Sequence, residues 1–310
     1  MPLRLTGLIA ATCTPMRPGH AIDLDAICPL TDQLVADGVE GLYVCGSTGE
    51  GVSMTTDERK RVAEAFLAAA GGRVPVIVHV GHNSLADARD LAQHAQRAGA
   101  TFTSAVAPNY FPIASVEVLV DAMATVAAAA PELPFYYYHI PAMTGVDLDM
   151  IEFLRQAGDR IDNFAGIKYT ANSLDEYQQC VALDDGRFDV LYGYDELLLP
   201  SLAVGARGAV GCTYNIAAPL YRRIIEAFDA GDLARARADQ LRAVQMIRTL
   251  SRFPFLPAVK AVLAVIGAPC GTCRAPQPQL RDAEVQELCA ELEAIGFFDW
   301  ARRTTDALLR

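Results

Sequence analysis

Lysine is scarce in this chain. Of its 26 basic side chains only three are lysines, Lys60, Lys168 and Lys260; the rest are arginines. A guanidinium keeps its charge under ordinary conditions, so few side chains here can alternate between ammonium and free amine. Positive charge is also short overall, with a net charge of −11 and a pI near 4.9. That argues against a general nucleic-acid binder and a protein held on anionic membranes, because both need basic surface. Any anionic substrate must then be held by local donors. The N-terminal LTGLIAATC is too short for a membrane span and lacks a basic leader with a cleavage site, so a soluble cytoplasmic protein is expected.

Metal and nucleotide motifs are missing as well. The single C-x-x-C, Cys270 to Cys273, has neither a second pair nor a nearby histidine and reads as loop thiols. The eight cysteines follow no disulfide spacing and fit a reducing compartment. His79 and His82 find no third ligand at useful spacing, so no metal is expected and structural histidines are the simpler reading. The first strand-like run leads into CTPMRPGH without G-x-G-x-x-G, and GARGAVG at 205–211 lacks G-x-x-x-x-G-K.

What the chain does have is alternation. Eight short apolar or aromatic runs, LTGLIAATC, GLYVC, PVIVHV, FTSAVA, PFYYYH, FAGIKYT, FDVLYG and GAVGCT, each precede a helical pattern. In TTDERKRVAEAFLAAA one face carries Val62, Ala63, Phe66 and Leu67, with Thr55 or Thr56 as cap and Asp57 and Glu58 in the first turn. SLADARDLAQHAQRAG ends on Gly99. Eight such units without a phosphate turn predict an α/β protein, a (β/α)₈ TIM barrel, over residues 1–230. Helices at 217–230, 232–250, 256–267 and 281–296 follow, the last three forming a C-terminal helical extension over 231–310.

Barrel chemistry sits at the C-terminal ends of the strands. Those ends carry Gly46-Ser47-Thr48-Gly49-Glu50, Asn109-Tyr110, Tyr138-His139, Lys168-Tyr169-Thr170, Gly193-Tyr194-Asp195-Glu196 and Cys212-Thr213-Tyr214. Strand period two groups Phe164, Gly166, Lys168 and Thr170 on one face, and glycine at 166 suits a crowded interior. An inward Lys168 neighbours Tyr138. Burial there is expected to favour the free amine, which condenses with a carbonyl to a Schiff base. The competing reading is a lysine that reaches solvent along the strand end or pairs with an acid. GSTGE reads either as an ordinary tight turn or as a carboxylate cradle of exposed amides and hydroxyls. Asp195 and Glu196 could be first-turn helix acids, promoted only by their place at the mouth.

Taken together, GSTGE, YYHIPAMTG, GIKYT, GYDE and VGCTYN resemble the pyruvate-dependent class I aldolases of the dihydrodipicolinate synthase and N-acetylneuraminate lyase family, in order along the whole chain. The likeness is nearer to the lyase branch. The resemblance implies a barrel with a C-terminal helical extension, assembled as a homotetramer. It implies that Lys168 forms the Schiff base, that Tyr138 transfers the proton, and that Ser47 and Thr48 hold the substrate carboxylate. Thr170 would line the substrate, Gly193, Asp195 and Glu196 would bind the sugar end, and Tyr110 would reach a neighbouring subunit's site. The implied reaction is reversible cleavage of N-acetylneuraminate to N-acetylmannosamine and pyruvate, with no cofactor beyond the covalent lysine adduct. Two departures bear on specificity. Met143 stands where the synthases carry arginine, and Cys212 stands where the lyases carry serine at the sugar end, a weaker donor. His139 after the tyrosine, in place of asparagine, is found in some lyases and leaves the expectation unchanged. The alternatives are a family aldolase for a different 2-keto sugar acid and a catalytically silent keto-acid-binding barrel.

Overall fold

Eight parallel strands close on themselves in sequence order in the computed structural model, which describes residues 4–301. They are β1 (Gly7–Ala11), β2 (Gly41–Val44), β3 (Val76–His79), β4 (Phe102–Val106), β5 (Phe135–His139), β6 (Phe164–Tyr169), β7 (Asp189–Tyr192) and β8 (Gly208–Gly211). Helices cover their outer face, so the strands are apolar on both sides and read as near-continuous hydrophobic runs. Two packed layers result. Ile9, Tyr43, Ile77, Phe102, Tyr136, Leu191 and Val210 fill the barrel interior, and a larger shell joins strands to helices.

The expected helix signals operate as chemistry requires. Thr55 caps helix Thr56–Ala70: its hydroxyl accepts from the Glu58 amide at 3.2 Å, and Glu58 accepts from the Thr55 amide at 2.9 Å. Val62, Ala63 and Phe66 form its buried face. Gly99, at φ +83°, turns the chain after helix Leu85–Arg97.

One strand departs from strict alternation. Phe135 pairs with Phe164, yet the next residue, Tyr136, pairs with Gly166, leaving Ala165 as an extra residue in β6. This bulge corrects the expected face. Phe164 turns outward onto Phe153 and Phe188 instead of sharing the interior with Gly166 and Lys168. Beyond the bulge the register is regular and sets Tyr138 beside Lys168. Glycine is needed at the turning point: at φ +155°, a Cβ on Gly166 would lie 1.8 Å from the Asp189 carbonyl oxygen.

After β8 come helices Tyr214–Asp229, Leu233–Leu250, Phe255–Val265 and Asp282–Ala294. Leu233–Leu250 packs on Tyr214–Asp229 and on the short turn Asp195–Leu197 at the barrel mouth. The outer ends of the two expected segments, residues 1–3 and 302–310, lie outside the described residues. Among the described residues no helix is long and apolar enough to cross a membrane.

Gly166→Ala is expected to destabilise the fold by at least about 2 kcal/mol, because the added methyl meets backbone that cannot rotate away. Urea denaturation of variant and parent measures the difference.

Candidate active site

At the C-terminal mouth lies a cavity of 450 Å³, lined by Ser47, Thr48, Tyr138, Met143, Lys168, Thr170, Gly193, Tyr194, Asp195, Glu196 and Cys212 among others. Residues expected from five separate strand ends therefore meet in one place, because parallel strands in a barrel all end at the same rim.

Lys168 is 4% exposed, and its Nζ lies 3.7 Å from the centroid of the Tyr138 ring and 4.5 Å from that of Tyr43. The other two lysines are tied down. Lys60 pairs with Asp90 at 2.5 Å, and buried Lys260 pairs with Glu50 at 2.6 Å. Among the described residues Lys168 Nζ has no ion pair and no hydrogen bond. The reading in which it reaches solvent or pairs with an acid is thereby excluded.

The three tyrosines of β5 separate by position. Tyr136 faces inward but lies deeper, donating to Asp189 Oδ2 at 2.6 Å. Tyr137 faces out and packs on Phe153 at 4.7 Å. Tyr138 alone reaches the mouth, with its ring edge-on to Tyr43 and His79. His79 is structural, as the sequence suggests: Nε2 accepts from the Val106 amide at 3.1 Å. Burial, with Arg59 and Lys168 adding positive charge nearby, keeps its ring neutral, well below the usual histidine range. Among the described residues no group of three or more His, Cys, Asp or Glu side chains is placed to hold a metal.

GSTGE proves to be both a tight turn and a cavity wall. The Glu50 amide donates to the Ser47 carbonyl and the Gly51 amide to the Gly46 carbonyl, each at 3.1 Å. Ser47 and Thr48 sit at the tip, facing the cavity. Thr170 Oγ1 is buried with no hydrogen-bond partner among the described residues, and a Cβ on Gly193 would fall 1.8 Å from it. Glycine at 193 thus leaves room for the Thr170 hydroxyl. Asp195 is held by Thr213, whose amide and hydroxyl donate to Oδ2 at 2.7 and 2.6 Å. Burial nonetheless pushes its carboxyl up to about 7. Burial also pushes the Cys212 thiol up to about 12, so it stays protonated at neutral pH.

Tyr110 is not part of this cavity. It is 79% exposed, its ring against Phe111, and its amide is held by Asn83 Oδ1 at 3.1 Å. Several residues around the site were not among those expected from the sequence. Tyr43 lines the lysine from β2; its inward parity in GLYVC was the available clue. Ile247, Ser251, Phe255, Leu256 and Gln277 come from the C-terminal helices and the loop after them, and nothing local in the sequence marks them.

The model of the dihydrodipicolinate synthetase family matches residues 4–295. An N-acetylneuraminate lyase of Rattus norvegicus is 37% identical over 302 residues, covering 96% of this chain and 94% of the relative. Among solved structures, an N-acetylneuraminate lyase from Aliivibrio salmonicida is 41% identical, with a TM-score of 0.93 over 95% of this chain and 98% of its own. One from Proteus mirabilis is 37% identical, with a TM-score of 0.93 over 95% and 100%.

Asp195 generates a pH prediction. Its folded-state value lies above the ordinary carboxylate value, so the ionised form burdens the fold: the penalty is absent near pH 4, grows toward pH 7 and is constant above. Asp195→Asn should therefore gain stability relative to the parent, by a few kcal/mol, as pH rises through this window. Paired thermal melts at pH 4 and pH 7.5 measure it; a pH-independent difference contradicts the assignment.

Proposed function

The chain belongs to the dihydrodipicolinate synthetase family, and from that premise we propose that it is a class I aldolase cleaving N-acetylneuraminate to N-acetylmannosamine and pyruvate, reversibly, through a Schiff base on Lys168. The observation that carries this reading is the placement of Lys168, a buried amine with two tyrosine rings against it and, among the described residues, no carboxylate in ion-pair distance.

The Lys168 amine attacks the C2 ketone of the open-chain substrate, and loss of water leaves a protonated imine. That cation accepts the electron pair of the C3–C4 bond once Tyr138, left as phenolate after giving its proton to the departing water, has taken the proton from the C4 hydroxyl. N-acetylmannosamine departs, the enamine is protonated at C3, and water hydrolyses the imine to free pyruvate. The lysine supplies the electron sink, so the sequence of steps uses no external cofactor. Ser47 and Thr48 would hold the carboxylate through hydroxyls and amides, offsetting substrate charge in a net-acidic protein. Thr170 would donate its hydroxyl near the reacting carbon, and Gly193, Asp195, Glu196 and Cys212 would face the hydroxylated tail.

Cys212 supports a second reading at the level of the sugar. A protonated thiol is a poor hydrogen-bond donor, so a different 2-keto sugar acid is the rival substrate. Met143 at the rim offers no charge for a second carboxylate, which favours the lyase over the synthase reaction.

We further read residues 231–310 as an extension of the 1–230 barrel that completes its mouth and not as a separate catalytic domain. The protein is proposed to be a cytoplasmic homotetramer in which exposed Tyr110 reaches a neighbour's cavity.

Borohydride reduction with pyruvate is expected to label the peptide containing Lys168, and label on Lys60 or Lys260 would count against the mechanism. Lys168→Arg should fold and be inactive. Tyr138→Phe should still trap pyruvate while kcat falls on the order of 10²–10⁴-fold, because the imine forms without efficient proton transfer. Pyruvate release across a panel of 2-keto sugar acids should be fastest with N-acetylneuraminate; a faster hexonate would favour the rival.

A further inference from the structure

One buried ion pair takes no part in these steps, yet it borders the turn that would hold the substrate carboxylate. Lys260, in helix Phe255–Val265, and Glu50, the last residue of GSTGE, have side chains only 1% and 2% exposed and lie 2.6 Å apart. The ammonium uses all three donors: Glu50 Oε1, the Thr14 carbonyl at 2.9 Å and the Thr272 carbonyl at 3.1 Å. The second Glu50 oxygen accepts from the Arg274 amide at 2.7 Å. Four segments meet there: the exit of β1, the turn after β2, the helix, and the loop that follows it.

The turn itself is held mainly at its trailing end. Glu50 has a left-handed backbone, φ +55°, uncommon for a residue with a side chain. Thr14 Oγ1 donates to the Gly49 carbonyl at 2.7 Å, from the residue whose own carbonyl binds Lys260. A Cβ on Gly51 would stand 1.9 Å from the Cys45 carbonyl oxygen, so the chain leaves the turn along one narrow course. The Ser47 and Thr48 amides make no backbone hydrogen bond among the described residues. The buried side-chain anchor that follows them is Glu50, three residues beyond Ser47 and two beyond Thr48.

We propose that Glu50 and Lys260 are positioning residues for keto-acid binding: the buried pair fixes the Ser47–Thr48 turn so that its donors meet the substrate carboxylate, coupling the C-terminal helices to that step. The inference rests on the proposed function. Donors aimed before the ligand arrives lower the ordering cost of binding, and a buried pair whose three ammonium donors and both carboxylate oxygens are engaged is held in place on both sides.

Glu50→Gln, Lys260→Met and the double variant are compared with the parent by titrating pyruvate-dependent borohydride labelling of Lys168 and by measuring kcat. In each single variant, half-saturating pyruvate should rise on the order of tenfold or more, from weakened hydrogen bonds to a charged group. In the folded fraction, maximal labelling and kcat should change by less than about threefold. The double variant, which leaves no buried charge alone, should fold at least as well as Lys260→Met and keep the raised half-saturation. An unchanged half-saturation in folded Glu50→Gln and in the double variant overturns the proposal and leaves the pair a stability element only. Absence of label on Lys168 in the parent defeats the underlying reading and the proposal with it, whereas label in the parent with unchanged half-saturation in the variants defeats the proposal alone.

Discussion

A lysine carried into a barrel with no carboxylate in ion-pair distance among the described residues must be held there by strand geometry, and here that geometry depends on the pairing of β5 with β6. The extra residue at Ala165 and the close approach at Gly166 reset the register so that Tyr138 and Lys168 lie side by side. Without that reset the period-two pattern begun at Phe164 would run one residue out of phase and send Lys168 toward the helices. The aromatic faces of Tyr43 and Tyr138 then enclose the amine. They attract a cation weakly compared with a carboxylate, which leaves the nitrogen available to a substrate.

The two buried lysines make the physics explicit. Lys260 is surrounded by acceptors and has one carboxylate of its own, so its charge is satisfied and its conformation fixed. Lys168 is equally withdrawn from water but meets ring faces instead of oxygen. Burial alone therefore does not tell the two lysines apart; their partners do. The same contrast runs through the acids. Glu50 is matched with a cation, whereas Asp195 is held by the two donors of Thr213, and burial raises its carboxyl despite them.

The mouth of the barrel is assembled from parts with different supports. The turn after β2 leans on helix Phe255–Val265 through Glu50 and Lys260. The turn Asp195–Leu197 leans on helix Leu233–Leu250, where Gln240 Nε2 donates to the Glu196 carbonyl at 3.1 Å and Gln240 Oε1 accepts from the Leu199 amide at 2.8 Å. Both turns are thus steadied from the C-terminal helices, which also contribute Ile247, Phe255 and Leu256 to the cavity wall. Helices that read from sequence as an appendage are part of the cavity because they cover the open side of its rim.

Eight strands, their order and the polar residues at their ends were legible because strand period, helix caps and glycine turns are local signals, and because a barrel brings every strand end to one rim. The oddity of a lysine in FAGIKYT was likewise written in the composition. Three matters were decided only in three dimensions. The bulge that turns Phe164 outward depends on the close approach of Gly166 to the Asp189 backbone on another strand, which any Cβ would block. The partner that makes Lys260 structural is 210 positions away, and the residues closing the cavity come from helices with no local mark of that role. Local sequence sets which way a side chain alternates along its own strand; what it meets there depends on surfaces contributed by distant segments, and the partner determines whether a buried charge is held or left free to react.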